Sequence, residues 1–290
     1  MEALPALLFI TVFLTALAWA ARPMPSGLVG FDEPAHQAYV DGDLARTRAL
    51  LPTASLNTRV ALSVAMGEYG AACDTVRREA QELLGPTHEL SMAELLIRVN
   101  AADAFAESGH VDEAVAMLTE FRPFPGAWGR MVDNGRLASR AWALASVGRL
   151  AEARSDAQRV DPAALGIAYE AEGHFVKAKV QMLTGDFAGA RLRLDAAANV
   201  VVRASSERNL LNLEAEWLKL QGRLEEAAVA YEKAAAHRWK GQGGPALLDW
   251  AEVLISLGRH PEARTVLERC VAQDPESPAA TAAAAYLSTR

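Results

Sequence analysis

A six-residue motif that returns seven times along the chain constrains its fold more than any other feature. Each copy opens on glycine, usually continues with a charged or polar residue, and in most copies has an apolar residue at +2 and alanine at +5. The copies read GDLART from Gly42, GEYGAA from Gly67, GHVDEA from Gly109, GRLAEA from Gly148, GDFAGA from Gly185, GRLEEA from Gly222 and GRHPEA from Gly258. Successive glycines are 25, 42, 39, 37, 37 and 36 residues apart. A period of this size marks a chain built from stacked copies of one supersecondary unit.

The alignment holds on both sides of the glycine. At +5 stand Thr47, Ala72, Ala114, Ala153, Ala190, Ala227 and Ala263; at −7 stand Ala35, Val60, Ala102, Ala141, Ala178, Ala215 and Ala251. Leu51, Val76, Leu118, Ala157, Leu194, Tyr231 and Leu267 occupy +9. Six alanines in seven at each of two offsets exceed what an alanine-rich composition supplies by itself. The pattern reads as a helical hairpin. About thirteen residues before each glycine form one helix, and the glycine ends it because it takes the left-handed conformation without steric cost. The second helix then starts, and the −7 and +5 residues meet where the two helices cross. Only a small side chain lets them approach there, and a larger one would overpack the contact. The +9 residue fills the core between hairpins. Runs of β-branched residues at two-residue alternation are scarce, so the fold class expected is all-α.

These offsets resemble the tetratricopeptide repeat, which has a period near 34 residues, a small residue in its first helix, glycine at the turn, then alanine, a large apolar residue and a terminal proline. Trp250-Ala251, Gly258, Ala263, Leu267 and Asp274-Pro275 match it most fully, and Ala215 to Ala234 also match well. The first two units depart most, with Thr47 and Val60 at small positions. The resemblance spans residues 31–276, about 85% of the chain. It implies an α-solenoid of about seven hairpins over 31–276, closed by a C-terminal capping helix over 277–290. It also implies a protein that binds other proteins in a groove lined by the first helix of each pair. The corresponding positions lie at −10, −6 and −3 from each glycine. They make Trp142, Lys179, Asn212, Glu216 and Lys219 the candidate partner-binding residues, with Asp103, Phe175 and Glu252 among their neighbours. The alternative is that Trp142 and Phe175 pack between hairpins and the charges form a solvated face. A second candidate surface is the proline-rich stretch Arg122–Arg130, RPFPGAWGR, read as a rigid loop in which Phe124 and Trp128 could anchor a partner; the alternative is that they cap the end of the third hairpin.

Other functional classes find little support. The net charge is −7, and no run of five basic residues occurs, so the electrostatic signature of a nucleic-acid binder is missing. The two cysteines, Cys73 and Cys270, form no CxxC pair, and the six histidines are scattered over the hairpins. No metal centre is expected. No nucleotide-binding or hydrolase motif is present; Gly241-Gln242-Gly243-Gly244-Pro245 lacks the Lys-Ser/Thr of a phosphate-binding loop and reads as a plain loop. No cofactor, small-molecule substrate or enzymatic activity is expected. Asp103, Glu216 and Glu252 are the conceivable acids, and their separation in the repeat suits carboxylate-pair chemistry poorly.

The N-terminus carries a different signal. Ala3–Ala21 is apolar or threonine throughout. As a helix its nineteen residues would reach roughly 28 Å, close to the ~30 Å hydrocarbon thickness of a bilayer. Residues 1–22 are therefore expected to be a hydrophobic transmembrane anchor, joined to the body by a linker over 23–30 that holds two prolines and two glycines. Arg22 follows the segment and only Glu2 precedes it, which leans toward a cytoplasmic body on a single-pass protein of the bacterial inner membrane. Two alternatives stay open: a cleaved secretory signal, given the Ala18-Trp19-Ala20 pattern, and a buried core helix. The functional expectation is a membrane-anchored scaffold or assembly factor that holds protein partners. The alternative is an exported periplasmic helper of envelope assembly or secretion.

Overall fold

A computed structural model describes residues 33–84, 92–119, 126–167, 169–202, 204–237, 243–273, 275 and 277–288. Fifteen α-helices and no strand occur among them. The predicted N-terminal anchor and linker lie outside the described residues, and so does Phe124.

The helices pair in chain order. The first hairpin joins α1 (Pro34–Val40) and α2 (Leu44–Leu50); the second joins α3 (Leu56–Ala65) and α4 (Tyr69–Glu79). The third and fourth follow as α5 (Met92–Glu107) with α6 (Val111–Thr119), and α7 (Gly126–Ser146) with α8 (Leu150–Arg159). Next come α9 (Glu170–Leu183) with α10 (Phe187–Val200), α11 (Ala204–Leu220) with α12 (Leu224–Ala236), and α13 (Gly243–Ser256) with α14 (His260–Gln273). A last helix, α15 (Pro278–Ser288), packs on both helices of the seventh hairpin.

One local device makes all seven turns. Gly42, Gly67, Gly109, Gly148, Gly185, Gly222 and Gly258 have φ between 74° and 86°. In the sixth hairpin the Gly222 N–H donates to the Lys219 carbonyl at 3.0 Å and the Arg223 N–H to the Leu218 carbonyl at 3.0 Å. The same two bonds recur at the other six glycines. This is the Schellman arrangement, which pairs carbonyls that a helix end would otherwise leave unsatisfied. The residue after the glycine then begins the second helix by accepting, through its carbonyl, the N–H of the +5 residue.

All fourteen residues at −7 and +5 are buried. Thr47 fits among the alanines because its hydroxyl donates to the Asp43 carbonyl at 2.8 Å, which satisfies its polar atom. The arginine of the GR copies has its own role. Arg149 donates to Glu152 at 2.7 Å and reaches Asp112 of the preceding hairpin at 3.0 Å; Arg259 pairs with Glu262 and reaches Glu225 at 3.2 Å in the same way. These pairs hold Glu152 and Glu262 below the usual carboxylate range. They are exposed, so they align neighbouring turns more than they stabilise them.

Arginines also close a helix end, both from within its hairpin and from the next one. The buried Arg98 of α5 donates to the Met117 carbonyl at 2.7 Å, and Arg136 of α7 to the Leu118 carbonyl at 2.7 Å. Both carbonyls belong to the last turn of α6, where a cation complements the helix dipole. The expected thirteen-residue first helix is met only approximately. α1 has 7 residues and α7 has 21. The long α7 corrects the loop reading of Arg122–Arg130: Gly126–Arg130 form its first turn, so Trp128 lies on a helix. The register set by buried Met131, Val132 and Leu137 carries back to Gly129, which is also buried. Gly243 to Pro245 likewise open α13 rather than a loop, as proline is tolerated where helical N–H groups have no partner.

Between hairpins four and five a 3-10 turn, Pro162–Leu165, lies against α9. A Cβ on Gly173 would sit 2.8 Å from the Pro162 Cα, so glycine there is required by close approach. Both cysteines are buried, and neither forms a disulfide among the described residues. Ala227→Leu is expected to lower unfolding stability by about 1–3 kcal/mol, while Glu225→Gln on the exposed face should change it by less than about 0.5 kcal/mol. Urea denaturation of the two variants tests this; equal losses would contradict the assigned hairpin faces.

Candidate partner-binding groove

Consecutive first helices pack side by side: α3 on α5, α5 on α7, α7 on α9 and α9 on α11. A residue at a fixed offset from its glycine therefore lies near its counterpart about 37 residues along the chain. Three of the five candidate groove residues, Trp142, Lys179 and Glu216, share the −6 offset and meet by this rule. The Lys179 ammonium lies over the Trp142 ring, 5.7 Å from its centroid, and pairs with the Glu216 carboxylate. One turn on, Lys219 bonds Glu252 at 3.0 Å and comes within 3.9 Å of Asp249. The result is a polar ladder running from the fourth hairpin to the seventh. The fifth candidate, Asn212, is half-buried on α11, and its Oδ1 has no hydrogen-bond partner. Trp128 is placed only by its backbone, at the start of α7.

The ladder is deeper than a solvated face would be. Trp142, Lys179 and Glu216 are 6%, 7% and 5% exposed. Removing a lysine and a carboxylate from water costs several kcal/mol each, and their mutual attraction offsets this only when the geometry is good. Glu216 Oε2 still lacks a partner.

A second polar group lies at the same level on hairpins two to four. Asn57, Asn100, Asp103 and Ser139 are all buried. The Asn100 amide donates to Asn57 Oδ1 at 3.4 Å, while Asp103 Oδ2 and Ser139 Oγ have no partner within hydrogen-bond geometry. Burial holds the Asp103 carboxyl well above the usual carboxylate range; the Ser139 hydroxyl opposes this and the Glu107 charge adds to it. Sequence reasoning placed Asp103 on the groove face but missed Asn57, Asn100 and Ser139. A polar residue recurring at −9 and −10 beside an otherwise apolar first helix was the available signal. Among the described residues no group of three His, Cys, Asp or Glu side chains is placed to hold a metal ion.

Two predictions follow from these buried charges. Lys179→Met leaves Glu216 buried without its partner and should cost about 3–5 kcal/mol, whereas Lys179→Met with Glu216→Leu should recover most of the loss. Denaturation of the single and double variants measures it, and equal losses would mean the pair is not coupled. For Asp103, the native state keeps a proton that the unfolded chain releases around its ordinary value of 3.8. Stability therefore falls as pH rises from that value through the higher native one. Asp103→Asn should raise the melting temperature at pH 8 and flatten the pH profile; an unchanged slope would exclude this residue as its source.

Residues 218–287 match the family model of the tetratricopeptide repeat. No curated protein and no solved structure matches the chain. The matched stretch takes in the end of α11, all of α12, the whole seventh hairpin and most of α15, while the same turn and the same small contact residues extend back to the first hairpin. Over residues 218–287 the chain is therefore similar to tetratricopeptide repeats, which generally mediate binding between proteins.

Proposed function

We propose that this protein is a non-enzymatic scaffold or assembly factor that holds a protein segment along the first-helix face of its solenoid, tethered to a membrane by residues 1–22. The observation that carries the binding reading is the pair of buried acceptor atoms without donors on that face, Asn212 Oδ1 and Glu216 Oε2. Leaving such a group unpaired costs about 1–3 kcal/mol. The backbone N–H groups of an extended segment are suitable donors. The tether rests on the apolar run Ala3–Ala21. No helix among the described residues is long and apolar enough to cross a membrane.

Because Trp142, Lys179 and Glu216 support the fold, the test uses half-buried Asn212. A photo-crosslinking residue at position 212 of the full chain should capture a discrete protein in cells. The same residue at Val229, exposed on the second helix α12, should not. Equal capture from both positions would remove the groove assignment. The N-terminal residue of the protein isolated from membranes distinguishes an intact anchor from a cleaved, exported form beginning near Ala21.

A further inference from the structure

The cations of this acidic chain are mostly spoken for, since Arg149, Arg191, Arg223 and Arg259 all pair with carboxylates. One group is not. Arg154 of α8, Lys177 of α9 and Arg193 of α10 line a single open cavity of about 100 Å³. Arg154 and Arg193 form no ion pair among the described residues, and the Lys177 ammonium makes only a 3.4 Å bond to the Gln158 carbonyl. Two carboxylates lie nearby, and neither forms an ion pair with these cations among the described residues; the Asp161 charge acts on Lys177 from a distance. Asp186, on the cavity wall, accepts from the Gln181 amide at 3.0 Å and from the Gly189 N–H at 2.9 Å. Asp161 accepts from the Ala163 N–H at 3.2 Å. The crowding has an electrostatic signature: burial and then the Arg193 charge hold both Lys177 and the adjacent His174 below their ordinary pKa values.

The cavity is separate from the groove. Lys177, Gln181 and Thr184 lie at −8, −4 and −1 from Gly185, about 140–200° around α9 from Lys179 at 100° per residue. Three cations are retained around a concave space that a single carboxylate, Asp186, also lines, which leaves the lining with a net positive charge. That arrangement is complementary to an anion.

We propose that the cavity between α8, α9 and α10 binds a phosphate-type oxyanion, with the Arg154 and Arg193 guanidinium groups donating to its oxygens and the Lys177 ammonium supplying charge. Guanidinium forks match phosphate geometry. The same chemistry is presented by free phosphate and by the headgroup of an anionic phospholipid, and the experiment separates the two.

The full chain is titrated with inorganic phosphate in a calorimeter, at fixed ionic strength against chloride. In parallel it is floated with vesicles of phosphatidylcholine with or without phosphatidic acid. Flotation on phosphatidylcholine alone reports only the proposed tether. Saturable phosphate binding, or flotation that phosphatidic acid increases over phosphatidylcholine alone, is expected, and which of the two responds identifies the source. Arg154→Gln with Arg193→Gln should weaken it by about tenfold or more. These side chains make no ion pair, so the double variant should keep its helicity and melting temperature. As an independent readout, bound phosphate should raise the His174 pKa by offsetting the Arg193 and Lys177 charges. Absence of binding in both arms, binding undiminished in the double variant, or a His174 pKa unmoved at saturation would each overturn the proposal.

Discussion

The whole assembly depends on how closely two antiparallel helices can approach after a glycine turn. In every hairpin the contact is made by residues small enough to let the backbones close, and all fourteen of them are buried. The left-handed glycine fixes where the second helix starts, so the −7 and +5 residues meet in register rather than by adjustment. A hairpin built this way still has an apolar flank that it cannot bury alone, and stacking supplies the missing surface. Tyr231, Leu194 and Leu267 at +9 do this work between units.

The stack also aligns side chains that lie about 37 residues apart, and its inner face uses this for polar rather than apolar pairing. Lys179 reaches one hairpin back to Trp142 and one forward to Glu216. Three successive first helices are thereby tied through one side chain. The Ser206 hydroxyl donates to the buried Glu172 at 2.6 Å and adds a further link between the fifth and sixth units. Charged groups placed so deep contribute less to net stability than apolar ones of the same shape would, but they penalise any other order of hairpins.

What could be read in the sequence, and what could not, divides along this line. Gly109, Ala114 and Ala102 lie within one hairpin, and local offsets determine their meeting; periodicity alone located them. The Asn57–Asn100 contact, the unpaired Asp103 carboxyl and the Pro162–Leu165 turn against Gly173 depend on how one hairpin sits on the next. The small rotation between units sets that, and no short motif encodes it. Trp142, Lys179, Glu216 and Lys219 were found as groove positions through family resemblance, but their mutual pairing and depth emerged only with the stacked helices. Trp128 was misplaced because two prolines in RPFPGAWGR outweighed the helical register that runs back from Leu137 through Met131 to Gly129.

The Trp142–Lys179–Glu216 chain bears on how such an array can change its length. An alanine seam is indifferent to copy number, since every unit offers the same contact to its neighbour. The charged chain is not. Duplicating the fifth hairpin would set one Lys179 against its own replica, with a single Glu216 left to serve both. The middle of this solenoid is therefore locked in order and number, and growth by copying is confined to units beyond its reach.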